Sequence, residues 1–178
     1  MYAKEPENGQ LQEHGITGDS FEELAGHAVT KLTELGRHVA VVCGPISTGG
    51  TEHQTYNFQI FNAAVHGIAA WGVATFDQTP YEFGLRKLGI AWEAAGNTGY
   101  CMPILEVFYA RLFDSGLVAT GWFIPGWQSS IGARWERRKF QSNGIPIVDL
   151  NASHIEHFLR SANYPEEHVR KLIALIPM

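Results

Sequence analysis

The sequence predicts a doubly wound α/β fold, in which helices cover both faces of a parallel sheet. The first observation is the short and almost continuous apolar run His38–Cys43, which is typical of strands that a parallel sheet buries on both sides. The second is that four such runs alternate with helical segments along the chain. The third is size, because 178 residues with 45% hydrophobic content suffice for one domain with a full core.

Local signals then predict each element in order. Ser20 begins the first helix through a capping box with Glu23, and Gly36 ends it. Loops rich in glycine, proline and polar residues separate the later elements. Those elements are a strand over His38–Cys43, a loop over 44–50, a helix from about Thr55, a strand over Trp71–Phe76, a helical segment over Tyr81–Ala95, a helix from Pro103 to about Asp114, a strand over Leu117–Ile124, a loop over Pro125–Ser129, a helix over Ser130–Gln141 and a strand over Ile145–Leu150.

The chain divides into three predicted regions. An N-terminal arm and helix occupy 1–37, the α/β domain occupies 38–150, and a helical extension occupies 151–178. We expect the extension to pack on the domain or on a neighbouring subunit. Its predicted landmarks are a capping box of Ser153 with Glu156, a helix over 152–162 and a last helix from Pro165 to about 176.

Composition excludes several classes of function. Thirteen Lys and Arg residues oppose 18 Asp and Glu, so the net charge of −5 argues against binding to duplex nucleic acid. The uncharged stretches Tyr56–Phe76 and Gly116–Ala133 contain polar residues, and we therefore expect no membrane span. With two cysteines, Cys43 and Cys101, and no signal peptide, the sequence indicates a soluble cytoplasmic protein without structural disulfides.

Ligands of doubly wound folds bind at the carboxyl ends of the strands, and this places the loops 44–51, 77–80 and 125–132 on one rim. In the first loop, glycines allow close backbone approach, and Ser47 and Thr48 offer hydroxyl groups. The loop lacks the glycine spacing of dinucleotide-binding folds and the lysine of a P-loop. An ordinary strand–helix connection is therefore the alternative to a ligand-binding loop.

A second candidate site lies where the helix after the third strand begins. Ser129 or Ser130 would cap this helix, and Gly132 and Ala133 would leave the N–H groups of its first turn accessible to an anion. Glu136 follows Gly132 by four residues, which places a carboxylate about 5–6 Å along the helix axis from that anion site. The alternative interpretation is a capped surface helix on which Glu136 only pairs with neighbouring arginines.

Three motifs together suggest a family. They are Cys-Gly-Pro-Ile over 43–46, Tyr-Asn-Phe over 56–58 and Pro-Gly-Trp-x-x-Ser-x-Gly-Ala-x-x-Glu over 125–136. In combination they resemble the nucleoside 2-deoxyribosyltransferase superfamily, especially its small bacterial and phage domains. The similarity covers about 39–149. The resemblance implies a flavodoxin-like sheet of four to five strands with helices on both faces.

The resemblance also implies a reaction, the cleavage of an N-glycosidic bond without a cofactor. It makes Glu136 the nucleophile that attacks the anomeric carbon and forms a glycosyl-enzyme, as in retaining glycosidases. Water resolves the intermediate in the hydrolases of the superfamily, and a second base resolves it in the transferases. Six residues before the Glu, the transferases carry Asp, whereas the nucleoside 5′-monophosphate N-glycosidases carry a phosphate-binding Ser. Ser130 therefore favours hydrolysis of a nucleoside 5′-monophosphate.

The remaining site residues follow from the same resemblance. Phosphate, sugar or base contacts are expected from Gly44, Ile46, Ser47, Thr48, Gly49, Asn57, Trp127, Ser130, Gly132 and Ala133. The sequence departs from the family where a helical Asp helps to protonate the leaving base, and Glu106 is the carboxylate nearest to that place. Asp77, after the second strand, is the other candidate acid. The tyrosine often found on the first strand of the family is Val41 here.

Several alternatives stay open. The chain could be a nucleoside deoxyribosyltransferase, a glycohydrolase of NAD or of an ADP-ribose-like compound, or an inactive module that binds a nucleotide. The superfamily is commonly oligomeric, so the resemblance implies a homodimer or a larger assembly. His154, His157 and His168 could suggest a metal site, but without accompanying ligands they are better interpreted as surface residues.

Overall fold

The structure, a computed structural model, describes residues 15–36 and 38–177. Most of the predicted N-terminal arm, residues 1–14, lies outside the described residues. Within the described part of the chain, no helix is long and apolar enough to cross a membrane.

Strands and helices alternate through most of the described chain. In order they are α1 (Phe21–Leu35), β1 (Val39–Cys43), α2 (Gln54–Ala70), β2 (Thr75–Phe76), a 3₁₀ turn (Thr79–Tyr81), α3 (Glu82–Ala94), a π-helical segment (Ile104–Tyr109) that continues into α4 (Ala110–Phe113), β3 (Val118–Phe123), a 3₁₀ turn (Trp127–Ser129), α5 (Ile131–Ser142), β4 (Ile147–Asp149), α6 (Ala152–Ser161) and α7 (Glu166–Leu175).

The strands form one parallel sheet in the order β2-β1-β3-β4 over the described residues. Val41 of β1 pairs with Phe76 of β2 on one side and with Gly121 of β3 on the other. The strand order reverses between β1 and β3, and this is the switch point at which doubly wound folds bind ligands. The predicted α/β fold with a flavodoxin-like parallel sheet is confirmed.

Each face of the sheet is covered by its own hydrophobic core, because alternate residues of β1 point to opposite sides. Val41 and Cys43 pack against α1, α3, α5 and the π-helical segment. Val42 packs against α2, α6 and α7, where Phe158 and Leu172 are buried. The C-terminal helices therefore bury their apolar faces within this chain, and α1 belongs to the main core.

The first helix begins as predicted, although its capping box is shifted by one residue. The Ser20 hydroxyl accepts a hydrogen bond from the backbone N–H of Glu23 at 3.2 Å. The Glu23 carboxylate accepts one from the N–H of Asp19 at 2.8 Å. Gly36 ends the helix with a φ of 92°, a conformation that glycine adopts without steric cost.

One predicted strand and one predicted helix cap differ in the structure. The predicted strand Trp71–Phe76 is reduced to its last two residues, because Trp71 caps the end of α2 and Gly72 turns the chain with a φ of 81°. The predicted capping box of Ser153 with Glu156 is wrong. Asn151 and His154 form the box instead: the Asn151 side chain accepts from the N–H of His154 at 3.0 Å, and the His154 ring accepts from the N–H of Asn151 at 3.1 Å.

The helix expected from Pro103 begins with π-helical turns over Ile104–Tyr109 instead of a regular α-helix. A π-helical turn holds an extra residue and changes the direction of the side chains that follow it, and such turns are frequent at functional sites. Here the segment presents Ile104, Leu105 and Tyr109 to the space above the sheet.

Candidate active site

A cavity of about 180 Å³ opens at the carboxyl ends of β1 and β3. Its walls come from the loop after β1, from α2 and α3, from the π-helical segment and from the first turns of α5. The lining residues with polar side chains are Ser47, Gln54, Thr55, Gln59, Glu82, Arg86, Tyr100, Tyr109, Ser130 and Glu136. The predicted rim of the sheet therefore does contain a pocket, and it lies at the switch point of the strand order.

The N-terminus of α5 forms one end of this cavity. The Ser130 hydroxyl caps the helix by accepting from the N–H of Ala133 at 3.3 Å. Thr48 accepts from the N–H of Ile131 at 3.3 Å, and its hydroxyl lies 3.4 Å from that of Ser130. The N–H of Gly132 has no hydrogen-bond partner among the described residues. Together with the helix dipole, this donor makes the end of α5 suited to an anion.

Two glycines allow the loop after β1 to lie against the turn that precedes α5. Gly49 and Gly50 have φ angles of 70° and 67°. A Cβ on Gly49 would lie 2.5 Å from the backbone of Ser129, so no larger residue fits there. The N–H of Gly50 donates to the Ser129 hydroxyl at 2.7 Å. The two loops are therefore held together as one wall.

Glu136 is the buried carboxylate of the site, with 5% of its surface exposed. It lies one turn beyond Gly132 and accepts a hydrogen bond from the Cys43 thiol, which is itself fully buried. The pKa of Glu136 is raised to about 8: burial is the main cause, the thiol opposes the shift, and the Glu82 carboxylate adds a smaller increase. Burial and the Glu136 charge raise the pKa of Cys43, so this thiol stays protonated and acts as a donor.

Glu82, at the start of α3, is the second carboxylate in the cavity. Tyr109 donates a hydrogen bond to its Oε1 atom over 3.4 Å. Burial raises the pKa of Glu82 to about 7, against the smaller opposing effect of the tyrosine. Burial and the charges of Glu82 and Glu136 raise the pKa of Tyr109 well above its ordinary value, so the phenol is a permanent donor. The cavity thus holds two carboxyl groups that both exchange protons near neutral pH.

The residues that the sequence singled out fall into three groups. Seven of them line the cavity: Gly44, Ile46, Ser47, Ser130, Gly132, Ala133 and Glu136. Thr48 and Gly49 are not among the lining residues but support them through the contacts to α5.

Four candidates lie away from the cavity wall. Asp77 accepts from the N–H and the hydroxyl of Thr79, at 2.9 and 2.6 Å, and so closes the turn before α3. Glu106 is exposed on a shallow surface depression beside Arg111. Trp127 packs edge-to-face on Phe123 and carries the Arg137 guanidinium 4.3 Å above its ring. Asn57 is buried beneath the loop after β1.

Glu82, Arg86, Tyr100 and Tyr109 were not identified from the sequence. Glu82 and Arg86 are separated by four residues on α3, a spacing that places two side chains on one face of a helix. Leu85 and Gly89 lie on the buried face of that helix. Two charged residues beside a buried helix face are a sequence signal that could have indicated site residues here. The segment carried no family motif, and its two glycines obscured the helical pattern.

Asn57 holds the loop in place, and we expect Asn57→Ala to destabilise the protein by about 2–3 kcal/mol. Its Oδ1 atom accepts from the N–H and the hydroxyl of Thr51, at 2.8 and 2.9 Å, and its Nδ2 atom donates to the Gly49 carbonyl at 2.8 Å. Alanine leaves these buried groups unpaired. Urea unfolding measures the loss, and Asn57→Asp, which keeps the acceptor, serves as the partial control. A loss below about 0.5 kcal/mol would show that the loop after β1 is stable without the hydrogen bonds of Asn57.

No group of three or more His, Cys, Asp or Glu side chains in the described chain is placed to hold a metal ion. Comparisons of the chain with protein-family models, with curated proteins and with solved structures find no match. A function for this chain is therefore inferred from the side chains of the cavity.

Proposed function

We propose that this protein hydrolyses the N-glycosidic bond of a nucleoside or deoxynucleoside 5′-monophosphate, with Glu136 as the nucleophile. One observation supports this most strongly: a buried carboxylate and a vacant helix N-terminal donor, Gly132, line the same cavity one helical turn apart. A 5′-phosphate and the anomeric carbon of one nucleotide need contacts at two such points. The sequence resemblance points to the same pairing of an anion site with a carboxylate.

The phosphate would bind at the N-terminus of α5. Gly132 supplies an N–H that no described residue binds, and Ser130 and Ser47 supply hydroxyl groups. A helix N-terminus stabilises an anion by about 0.3–1 kcal/mol at the surface and by more where it is partly buried. This favours a phosphorylated substrate over the free nucleoside.

Glu136 would then attack the anomeric carbon of the sugar. A bond forms between its carboxylate oxygen and C1′ while the C1′–N bond breaks, and the electron pair of that bond leaves with the base. Glu82, the other carboxyl group that lines the cavity, would deliver a proton to the base. Water then attacks C1′, Glu82 takes its proton, and the free sugar phosphate leaves with Glu136 restored. The cycle consumes only water.

The two carboxyl groups predict a narrow pH profile, with a maximum of kcat/KM between about 7 and 8. Below the pKa of about 7 at Glu82, both groups are protonated and no nucleophile exists. Above the pKa of about 8 at Glu136, both are ionised and no acid exists. Because the pKa of Glu82 is about one unit below that of Glu136, most singly protonated molecules carry the proton on Glu136. About one tenth carry it on Glu82, and these are the reactive form. Initial rates from pH 5 to 10 test this, and a plateau wider than three units would contradict it.

Base release is the direct test of the proposed reaction. Purified protein is incubated with ribo- and deoxyribonucleoside 5′-monophosphates, their nucleosides and NAD, and the free base is followed by chromatography. We expect release from a monophosphate, and more slowly from its nucleoside. If no compound released its base but one of them raised the melting temperature, the hydrolase proposal would be wrong and the chain would be a nucleotide-binding module. Transfer of the sugar to an added base would instead identify a transferase.

Oligomeric state and cytoplasmic location stay predictions from the sequence.

A further inference from the structure

We propose that the α3 side of this cavity reads the O6/N7 edge of a 6-oxopurine, so that guanine and hypoxanthine nucleotides are preferred over adenine nucleotides. The inference rests on the proposed function and names the substrate class of that same site. Two side chains carry it, Glu82 and Arg86, which are one helical turn apart and both line the cavity.

Arg86 is a cation in the cavity wall that has no partner among the described residues. It forms no ion pair and no side-chain hydrogen bond with any described residue, although Glu82 lies four positions before it on the same helix. Glu82 is bound by Tyr109 instead. A partly buried guanidinium with five N–H donors and no acceptor is suited to a ligand atom that accepts hydrogen bonds.

Glu82 adds a second donor whenever it acts as the proton donor of the proposed reaction. Tyr109 occupies its Oε1 atom, which leaves the other carboxyl oxygen to carry the proton. Arg86 and protonated Glu82 therefore present two adjacent donors and no acceptor, about 5–6 Å apart at their Cβ atoms. The matching ligand edge has two adjacent acceptors.

Among the purines, the Hoogsteen edge of a 6-oxopurine has this pattern, with O6 and N7 both accepting. Adenine keeps the N7 acceptor but places its N6 amino donor where O6 would be, so that a donor would face the guanidinium. A proton delivered to N7 also neutralises the negative charge that the departing purine acquires. Recognition and leaving-group protonation are then performed by the same pair of side chains.

Binding to the inert variant Glu136→Gln tests the proposal without any need for turnover. The dissociation constants of dIMP and dAMP are measured by calorimetry at pH 6, where Glu82 is protonated. These ligands differ only at position 6 and at the adjacent N1. We expect dIMP to bind about tenfold to a hundredfold more tightly, the range of one good base contact. Equal affinities, or tighter binding of dAMP, would overturn the proposal.

Two further variants assign the preference to Arg86. In the Glu136→Gln background, Arg86→Gln supplies an acceptor for the adenine amino group, so the dIMP-to-dAMP ratio should fall to within about threefold of one. Lys87→Gln removes a cation from the adjacent, exposed position of α3 and should leave the ratio unchanged. If Arg86→Gln instead reduces the preference for dIMP over deoxyinosine and leaves the base ratio intact, Arg86 binds the phosphate and the proposal is wrong.

The N7 contact has its own test in the active protein. 7-Deaza-dGMP keeps O6 but has carbon at position 7, so it should be cleaved at least tenfold more slowly than dGMP. Equal rates would contradict a role for N7. A protein that releases no base but still prefers dIMP in calorimetry would refute the proposed hydrolysis and keep the base recognition, so the two failures are distinguishable.

Discussion

Glu136→Gln is expected to reduce the rate of base release by about 10³-fold or more, because the amide is no nucleophile and the covalent step is lost. The side chain keeps its shape and its contact with Cys43, so the fold and nucleotide binding should persist. Single-turnover assays measure the loss, with Glu167→Gln as the matched control on an exposed position of α7. Retention of more than a tenth of the activity would exclude Glu136 as the nucleophile.

The same variant should gain stability at alkaline pH. The pKa of Glu136 is about 8 in the folded chain, above its ordinary value, so the folded protein binds a proton that the unfolded chain releases. The stability that this carboxyl group contributes is therefore complete in acid and is lost as the pH rises from about 4.5 to 8. Glutamine carries no such penalty and should raise the free energy of unfolding at pH 8 by about 4 kcal/mol. Urea titrations at pH 5 and pH 8 measure the free energy of unfolding of both proteins. If the variant and the wild-type protein differed by the same amount at both pH values, the raised pKa of Glu136 would be contradicted.

Phe158→Ala is expected to destabilise the protein by about 3–5 kcal/mol, the usual range for a phenylalanine removed from a core. Phe158 is 1% exposed, and its ring lies 4.6 Å from that of Trp71 between centroids. Gly67 of α2 lies directly beneath the ring, where even a Cβ would overlap with it. The substitution thus opens a cavity between α6 and α2.

Urea unfolding measures this loss, and Ile90→Ala provides the control. Ile90 is 49% exposed on α3, so its truncation should cost under about 1 kcal/mol. A similar small value for Phe158→Ala would show that the C-terminal helices are docked loosely. Because those helices cover α2, which forms one wall of the cavity, we also expect weaker nucleotide binding in this variant.

Two elements were determined by sequence signals that act over a few residues. The apolar run that ends at Cys43 predicted β1, because a strand that is buried on both faces has apolar side chains at nearly every position. Ser129 or Ser130 predicted the start of α5, because a side-chain cap binds an N–H only a few residues away, and Ser130 is the cap in the structure. The position of Glu136 one turn along that helix then followed from helix geometry.

Tertiary structure alone decided which groups share the cavity with Glu136. Glu82 and Tyr109 come from separate elements and meet it only because α3 and the π-helical segment pack over the same strands. Asp77 and Glu106 carry the same functional group as Glu82, yet one closes a turn and the other faces solvent. A local pattern specifies that a carboxylate is present, whereas its pKa and its neighbours depend on burial by residues distant in the sequence.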